Sequence, residues 1–345
     1  MPEKLRKRSK IGRHTILSRI MLPGMAVILA QSVLYTLIFW QYNIVGRIES
    51  NAYDIFSEKV LNRQQDIQSD ILYRCMALDN DSEYLLQQVY DSLAQNGADI
   101  ADIFVSPTLN RQIIADISDY IIALLHRNMV NGAFLVLDGP ATDAAPQGTL
   151  SRAGLYIRRF DSFSNTPDNS DLLMERGMPD LARSLGIALD RYWSAGFMIS
   201  DDTAVESQFF FAPLKAARAL TGGQSADFGY WSDRFSLSAN DIGIITYSVP
   251  LIAADGSVIG VFGVEISENQ LVSKMRYGNL SSSQNASYFL GISSDGGQTY
   301  RRISTSGPLF KYRFGDARDV SVTKSASRCD IYMIHNGAGS EQVIG

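Results

Sequence analysis

A stretch of 27 residues without a charged side chain, residues 20–46, constrains this chain more than any other feature. A helix needs about 20 apolar residues to cross the hydrocarbon core of a bilayer, so this stretch is long enough to span it. Residues 1–19 hold seven of the 31 basic and one of the 36 acidic residues, a net charge of +6 against −11 for the remainder. Because basic flanks stay in the cytoplasm, we predict a cytoplasmic tip over 1–19 and a transmembrane helix over 20–43. Residues 44–345 are then extracytoplasmic, and the chain crosses the cell membrane once.

A cleaved signal peptide is the alternative interpretation of the same stretch. Such a peptide has a shorter apolar region, of about 7–15 residues, followed by small residues at the cleavage site. Residues 42–47 contain no A-x-A pattern, which favours an uncleaved anchor. The lipid bilayer is therefore an expected partner. The basic tip is better explained by topology and anionic lipid than by nucleic acid.

The chain is poor in the residue types on which metal and nucleophilic chemistry depend. Two cysteines and three histidines exclude a disulfide-dense scaffold and argue against a zinc cluster. No H-E-x-x-H, G-x-S-x-G or Walker A motif occurs. We therefore predict no catalytic residue, no metal ligand and no cofactor.

Residues 44–130 are expected to form a long helical stalk. Apolar residues recur at a rough spacing of three or four positions over 44–72, and neither glycine nor proline occurs over 48–95. Ser82 is a candidate cap for a second helical segment. A long helix that leaves a membrane is typical of a stalk or a dimer seam, so a homodimer is expected. Cys75 and Cys329 are compatible with free thiols or with a pair.

Beyond residue 130 the hydrophobic period changes from that of a helix to that of strands. A hairpin turn is predicted at 254–257, and residues 161–207 are expected to be mostly irregular. The predicted strands are 132–139, 154–159, 242–251 and 258–266, and the predicted helices are 109–129, 179–185 and 209–220. This order indicates an α+β fold in which an antiparallel sheet carries helices on one side.

A weak internal repeat predicts a second sheet. A strand, a glycine turn and a strand with two adjacent arginines occur at 134–159 and again at 288–303, with a helix expected at 269–275. The second copy has no equivalent of the hairpin at 242–266. We therefore expect a membrane-distal subdomain at 131–268, an incomplete membrane-proximal subdomain at 269–345, and a longer parent protein.

Taken together, these features resemble a double Cache sensor, the PAS-like extracytoplasmic module of bacterial chemoreceptors, histidine kinases and diguanylate cyclases. The most specific match is the pair 245–251 and 258–266, joined by a turn with Asp255 and Gly256. It resembles two family strands in which a proline follows the first and an acidic residue closes a G-V-x-G segment. The resemblance covers roughly 45–345, so it implies that any kinase or diguanylate cyclase output lies beyond Gly345. It implies an N-terminal transmembrane helix, a long stalk helix, two tandem PAS-like antiparallel sheets and a ligand-sensing input region of a membrane receptor.

The resemblance also implies a small-molecule site on the concave face of the distal sheet, under the helical insertion. Glu265 falls where amino-acid-sensing members hold the ligand amino group. Their R-x-W-Y stretch is replaced by 209–215 and only partly resembled by 191–194, so the ligand class stays open, with an amino-acid-like molecule as one candidate. The implied ligand-binding residues are Phe211, Lys215, Tyr230, Trp231, Phe235, Tyr247, Glu265 and Arg158.

Each of these residues also has an ordinary structural interpretation. Aromatic side chains at strand or helix spacing are typical of a core. Arg158 and Arg159 alternate across a strand, so at most one should face a pocket and the other should lie at the surface. Two other functions fit the sequence less well: an anchored binding or assembly protein without a transmitted signal, and an anchored hydrolase that uses Glu265 or Asp233.

Overall fold

The computed structural model describes residues 16–41, 44–75, 78–142, 151–199, 202–220, 222–238, 241–280, 286–324, 331–337 and 339–344. The chain falls into two units, residues 1–58 and residues 59–345. The described α-helices are α1 Ile16–Gln41, α2 Ile44–Cys75, α3 Leu78–Asn96, α4 Ile100–Ile103, α5 Pro107–Asn128, α6 Pro179–Ser184, α7 Gln208–Ala219, α8 Glu268–Lys274 and α9 Pro308–Phe314. The described strands are β1 Gly132–Pro140, β2 Ser151–Arg159, β3 Leu172–Arg176, β4 Ala188–Ser194, β5 Phe197–Met198, β6 Tyr230–Trp231, β7 Ile244–Ile252, β8 Val258–Ser267, β9 Tyr288–Ile292, β10 Thr299–Ser306, β11 Asp319–Lys324, β12 Ile331–Asn336 and β13 Gly339–Ile344.

Helix α1 occupies the predicted membrane segment. Within the described residues, Met21–Gln41 is the part that is long and apolar enough to cross a membrane, by length and composition. Two of its hydroxyl groups are satisfied inside the helix, because Ser32 Oγ donates to the Ile28 carbonyl and Thr36 Oγ1 to the Ser32 carbonyl, both at 2.9 Å. Hydrocarbon supplies no hydrogen-bond partner, so such internal bonds suit a spanning helix.

Helices α3 and α5 cover the first sheet, which corrects the expectation of a continuous stalk up to residue 130. The Ser106 side chain caps α5 by accepting from the Leu109 amide at 3.3 Å, and Met129 ends it in the left-handed region with φ 51°. The two helices pack on each other and on β1, β2 and β7. Their apolar stripe is buried, so residues 78–128 form a helical layer against the first sheet. Cys75 is buried at the end of α2, and Cys329 lies outside the described residues.

The first sheet has the strand order β4-β3-β2-β1-β8-β7-β6, with β5 paired to β2. Its pairs are antiparallel except β3 with β4, and the predicted β7–β8 hairpin is present. Gly256 adopts φ 84° in the hairpin turn, a conformation that favours glycine. Every residue of β8 is buried, so the largely apolar sequence of this strand shows no alternation between buried and exposed positions.

Helices cover both faces of the first sheet, whereas the sequence predicted helices on one side. Helix α7 packs Phe209 and Phe210 against Phe134, Val136 and Val261 of the central strands. Helices α3 and α5 contact the same sheet from the other side. The short strands β3, β4 and β5 lie in the region that was expected to be mostly irregular.

The second sheet has the order β13-β12-β11-β10-β9, with every pair antiparallel. Its core contains Phe310, Val320 and Ile334. The predicted strands at β9 and β10 and the helix at α8 are present. Strands β11 to β13 were not predicted, since sequences such as that of Asp319–Lys324 are largely polar and exposed. The α+β class with two antiparallel-rich sheets is thus confirmed.

Candidate ligand site on the first sheet

A row of four residues crosses the centre of the first sheet. Gly132 of β1 lies opposite Arg158 of β2 on one side and opposite Glu265 of β8 on the other. Thr246 of β7 lies opposite Glu265. Residues directly opposite each other on neighbouring strands project from the same face. The four residues therefore share one face of the sheet. Helix α7 covers the same face closer to the β7–β8 hairpin turn.

Glu265 and Arg158 form a buried ion pair within this row. Glu265 is fully buried and Arg158 is 7% exposed. Arg158 Nη2 donates to Glu265 Oε1 at 3.2 Å, and its Nη1 donates to Glu175 Oε1 at 3.1 Å and Asp241 Oδ2 at 2.6 Å. The Tyr156 hydroxyl donates to Glu265 Oε2. Each oxygen of the Glu265 carboxylate thus has a donor, as a buried charge requires.

Gly132 makes room for this network. A Cβ atom at Gly132 would lie 3.0 Å from Glu265 Oε2, 3.1 Å from the Tyr156 ring and 3.2 Å from Arg158 Cβ. Those distances are tighter than ordinary van der Waals contact. The missing side chain on β1 therefore lets the carboxylate, the hydroxyl and the guanidinium meet above the strand.

Thr246 brings an unsatisfied hydroxyl to the same row. It is fully buried, and its Oγ1 has no hydrogen-bond partner among the residues that the structure describes. Its backbone amide donates to Ser232 Oγ at 2.9 Å, which holds β7 to the segment after β6. A buried hydroxyl without a partner costs free energy, so such a group marks a place where a further donor or acceptor is favourable.

The electrostatics of the network keep the Tyr156 hydroxyl protonated and the Arg158 guanidinium charged. Burial, and then the charge of Glu265, raise the pKa of Tyr156 well above its usual range. Burial alone would lower the pKa of Arg158, but the charge of Glu265 and the contact with Asp241 raise it. Burial raises the pKa of Glu175 more than Arg158 lowers it. Tyr156 therefore stays a hydrogen-bond donor and Arg158 stays charged.

Aromatic rings close the face above the row. The Phe134 ring centroid lies 5.4 Å from that of Tyr156 and 4.8 Å from that of Phe209, and Phe209 stacks on Phe235 at 6.0 Å. Phe235 and Phe211, two of the predicted site residues, both belong to this buried cluster. The Phe211 ring contacts Phe210.

The remaining predicted site residues are divided between different surroundings. Lys215 is at the surface, where its ammonium pairs with Asp202. Tyr230 is half-buried and lies opposite Ser248, which places it on the face of Glu265 at the sheet edge. Trp231 lies opposite Tyr247, with ring centroids 5.0 Å apart.

Trp231 and Tyr247 lie on the other face of the sheet from Glu265. Tyr247 is opposite Val264, whereas Thr246 is opposite Glu265, and neighbouring residues of a strand alternate between faces. Burial and the nearby groups Asp79 and Cys75 raise the pKa of Tyr247. The eight predicted residues are thus not brought together at one point.

Both arginines of β2 are buried, so the expectation that one of them lies at the surface is wrong. Arg159 is 5% exposed. Its guanidinium donates to Asp171 Oδ2 at 2.5 Å, to the Leu125 carbonyl at 3.0 Å and to Asn165 Oδ1 at 2.8 Å. Strand β2 is covered from both faces, so an arginine pointing either way needs buried partners.

Comparisons with known proteins find similarity at the level of solved structures. No family model matches the chain, and no curated protein matches it. The periplasmic sensory domain of the Campylobacter jejuni chemoreceptor Tlp1 matches with 12% identity and a TM-score of 0.41, over 83% of this chain and 91% of that one. The ligand-binding domain of the C. jejuni chemoreceptor Tlp3 in complex with L-valine matches with 12% identity and a TM-score of 0.32, over 70% of each chain. Methyl-accepting chemotaxis protein X matches with 12% identity and a TM-score of 0.38, over 83% of this chain and 96% of that one.

Two of these three neighbours are by name ligand-binding or sensory domains of chemoreceptors.

Sequence reasoning named Glu265 and Arg158 and missed the four other side chains of the polar network. Tyr156 carries a detectable signal, since it lies two residues before Arg158 on one strand and so shares its face. Thr246 lies within a strand that was predicted, but nothing in the sequence shows that its hydroxyl is unpartnered. Glu175 and Asp241 come from a short strand and a loop whose approach to Arg158 depends on tertiary packing.

Proposed function

We propose that this chain is the extracytoplasmic input region of a membrane signal-transduction receptor, which binds a small molecule beside Glu265 on the first sheet. The observation that carries the proposal is the buried Thr246 hydroxyl, which has no partner in the part of the chain that the structure describes and lies next to a buried carboxylate. Most buried polar groups in proteins have a hydrogen-bond partner, so a hydroxyl of this kind offers a place for a polar atom of a ligand or for an ordered water. Small-molecule sites combine apolar walls with few polar groups, and the rings of Phe209 and Phe235 supply such a wall here.

The charge of the network favours a ligand that carries an amine. Three carboxylates, those of Glu265, Glu175 and Asp241, surround the Arg158 guanidinium. Arg176 lies 3.7 Å from Glu175 and compensates a second charge. Three carboxylates and two guanidinium groups leave one negative charge in this group. A positively charged amino group of a ligand would balance that charge, and a polar atom beside the amino group would hydrogen-bond the Thr246 hydroxyl. An amino-acid-like molecule is the proposed class.

The proposed organisation follows from the same function. Residues 1–19 lie in the cytoplasm, 20–43 cross the membrane, 131–268 bind the ligand and 269–345 form the membrane-proximal subdomain. Ligand binding shifts the population between two arrangements of the module, and the change passes through the membrane helix. Exposed apolar side chains on α2, at Leu61, Leu72 and Tyr73, support a homodimer through this helix.

Thermal unfolding of the full chain in lipid nanodiscs tests the binding proposal. The probes are a panel of amino acids, simple amines and carboxylates. A ligand at about 100 times its Kd should stabilise the protein by roughly 2.7 kcal/mol and raise the midpoint. We expect amine-bearing compounds, and not plain carboxylates, to give the shift.

Two substitutions locate the site. Thr246→Val keeps the shape of the side chain and removes the unpartnered hydroxyl, so it should leave the protein without ligand as stable as wild type and reduce the ligand-induced shift. Thr305→Val, on the second sheet, is the matched control and should keep the full shift. A panel without any active compound, or a shift that Thr246→Val leaves unchanged, would overturn the proposed site.

A further inference from the structure

Helix α8 is the direct continuation of the strand that carries Glu265. It begins at Glu268, three residues beyond that carboxylate. The side chain of Ser267 caps the helix by accepting from the Gln270 amide at 3.2 Å. The Ser267 amide donates to Asn131 Oδ1 at 2.8 Å, which ties this junction to the start of β1. A change in the position of β8 near Glu265 therefore reaches α8 without an intervening loop.

The other end of α8 is bound to helix α2. Lys274 Nζ lies 3.2 Å from Asp70 Oδ1, and Arg74 Nε lies 2.8 Å from Asp70 Oδ2. Arg74 also donates to the Met129 carbonyl, to which Gln270 Nε2 donates at 3.3 Å. Two side chains of α8 thus engage one cluster on α2 and the end of α5. The Asp70 carboxylate is about one quarter exposed, so these contacts are partly shielded from solvent.

The first residue of α8 reaches the second sheet. Glu268 Oε1 accepts from Ser304 Oγ of β10 at 3.4 Å. Its other carboxylate oxygen lies 2.7 Å from Arg234 Nη2, in the segment between β6 and β7. One helix of seven residues therefore contacts the ligand-site strand, the α2 helix and the second sheet.

We propose that α8 couples the Glu265 network to helix α2 through the Lys274–Asp70 contact. A helix of two turns transmits a displacement of its first residue to its last, because its backbone hydrogen bonds keep it rigid over that length. Coupling between distant sites is carried by such connected networks of packed and hydrogen-bonded groups. The biological meaning of this coupling rests on the proposed sensor function, whereas the coupling itself is measurable without a ligand.

Hydrogen exchange of the full chain in lipid nanodiscs tests the coupling, with Glu265→Gln as the perturbation at the site. This substitution removes the charge that holds Arg158 and loosens the end of β8. We expect it to increase amide exchange over residues 65–75 of α2 by about threefold or more, within the range of measured couplings. In a Lys274→Met background, which keeps the aliphatic stem and removes the ammonium, Glu265→Gln should add almost nothing at α2.

Lys215→Met is the matched control background. It removes the surface ion pair between α7 and Asp202 and leaves the Lys274–Asp70 contact intact, so the effect of Glu265→Gln on α2 should persist in full. Tyr156→Phe serves as a milder perturbation if Glu265→Gln does not fold. The inference fails if the perturbation increases exchange in β7 and β8 but not in α2. It also fails if the increase in α2 exchange is the same in the Lys274→Met and Lys215→Met backgrounds. If hydrogen exchange shows the coupling but no compound of the thermal-shift panel binds, the sensor proposal is contradicted and the coupling stands.

Discussion

The two sheets contain the same sequence element, a strand with two adjacent arginines, and use it differently. In β2, Arg158 and Arg159 are both buried and bonded to carboxylates. In β10, the side chain of Arg301 is 54% exposed and pairs with Asp233 and Asp319. Arg302 lies with its guanidinium 5.9 Å from the ring centroid of Phe310.

The difference lies in what surrounds each strand. Strand β2 belongs to a sheet that helices cover on both faces. Its neighbour β3, and β8 on the far side of β1, each supply a carboxylate to Arg158. The core of the second sheet is small, formed around Phe310, Val320 and Ile334. An arginine is buried only where the neighbouring strands provide compensating charge, because an unpaired buried charge is very costly. A repeated strand pattern therefore predicts repeated backbone structure and does not predict repeated chemistry.

Removing the arginine side chains should give the largest difference between the sheets. Arg158→Ala leaves the buried carboxylates of Glu265 and Glu175 without their partner, and we expect a loss of about 3–5 kcal/mol in the free energy of unfolding. Arg301→Ala removes a surface pair and should cost at most about 1 kcal/mol. Urea unfolding, followed by tryptophan fluorescence and circular dichroism, measures both.

Equal losses for Arg158→Ala and Arg301→Ala would contradict this comparison. A small loss for both variants would show that the Glu265 network contributes little net stability. A large loss for both would show that the contact of Arg301 with Asp233, which joins the two sheets, is as important as the buried network.

The sequence was sufficient for those elements whose signal is local. The uncharged segment predicted α1, the apolar run around Gly256 predicted the β7–β8 hairpin, and the internal repeat predicted β9 and β10. Each depends on hydrophobic period or on turn chemistry within a few residues. The burial of Glu265 also follows in part from its place in an apolar strand.

The sequence was not sufficient for features that depend on packing between elements. That α3 and α5 lie on the first sheet depends on which partner buries their apolar stripe, since a stalk or dimer seam would show a similar period. The assignment of Tyr247 and Glu265 to one pocket failed because the register places them on opposite faces. The Arg158 network needs Asp241 and Glu175, which no spacing in the sequence connects to it.

Filling the space at Gly132 should have the next largest effect. Gly132→Ala places a methyl group 3.0 Å from Glu265 Oε2 and beside the Tyr156 ring, so the hydrogen bond between them must shift. Overpacking of this kind typically costs about 1–3 kcal/mol. Gly278→Ala is the matched control, because a Cβ there meets no atom within 4 Å. The prediction is contradicted if thermal unfolding midpoints of the two variants agree with each other.

Lowering the pH should increase the stability that Glu175 contributes in the first sheet and decrease the stability that Asp295 contributes in the second. This is the smallest expected effect. Burial raises the pKa of Glu175, so the stability that its protonated form contributes is present below about 4.5 and is lost as pH rises through its pKa in the fold. Hydrogen bonds, first from the Thr299 amide and then from the Ser293 side chain, lower the pKa of Asp295 to about 2. Its contribution is therefore present above about pH 3.8 and is lost as pH falls towards 2.

Thermal midpoints between pH 2.5 and 7 compare each variant with wild type. Glu175→Gln should gain stability relative to wild type as pH rises, whereas the stability deficit of Asp295→Asn should shrink as pH falls. Midpoint differences that stay constant across this range would show that neither carboxylate titrates differently in the fold and in the unfolded chain.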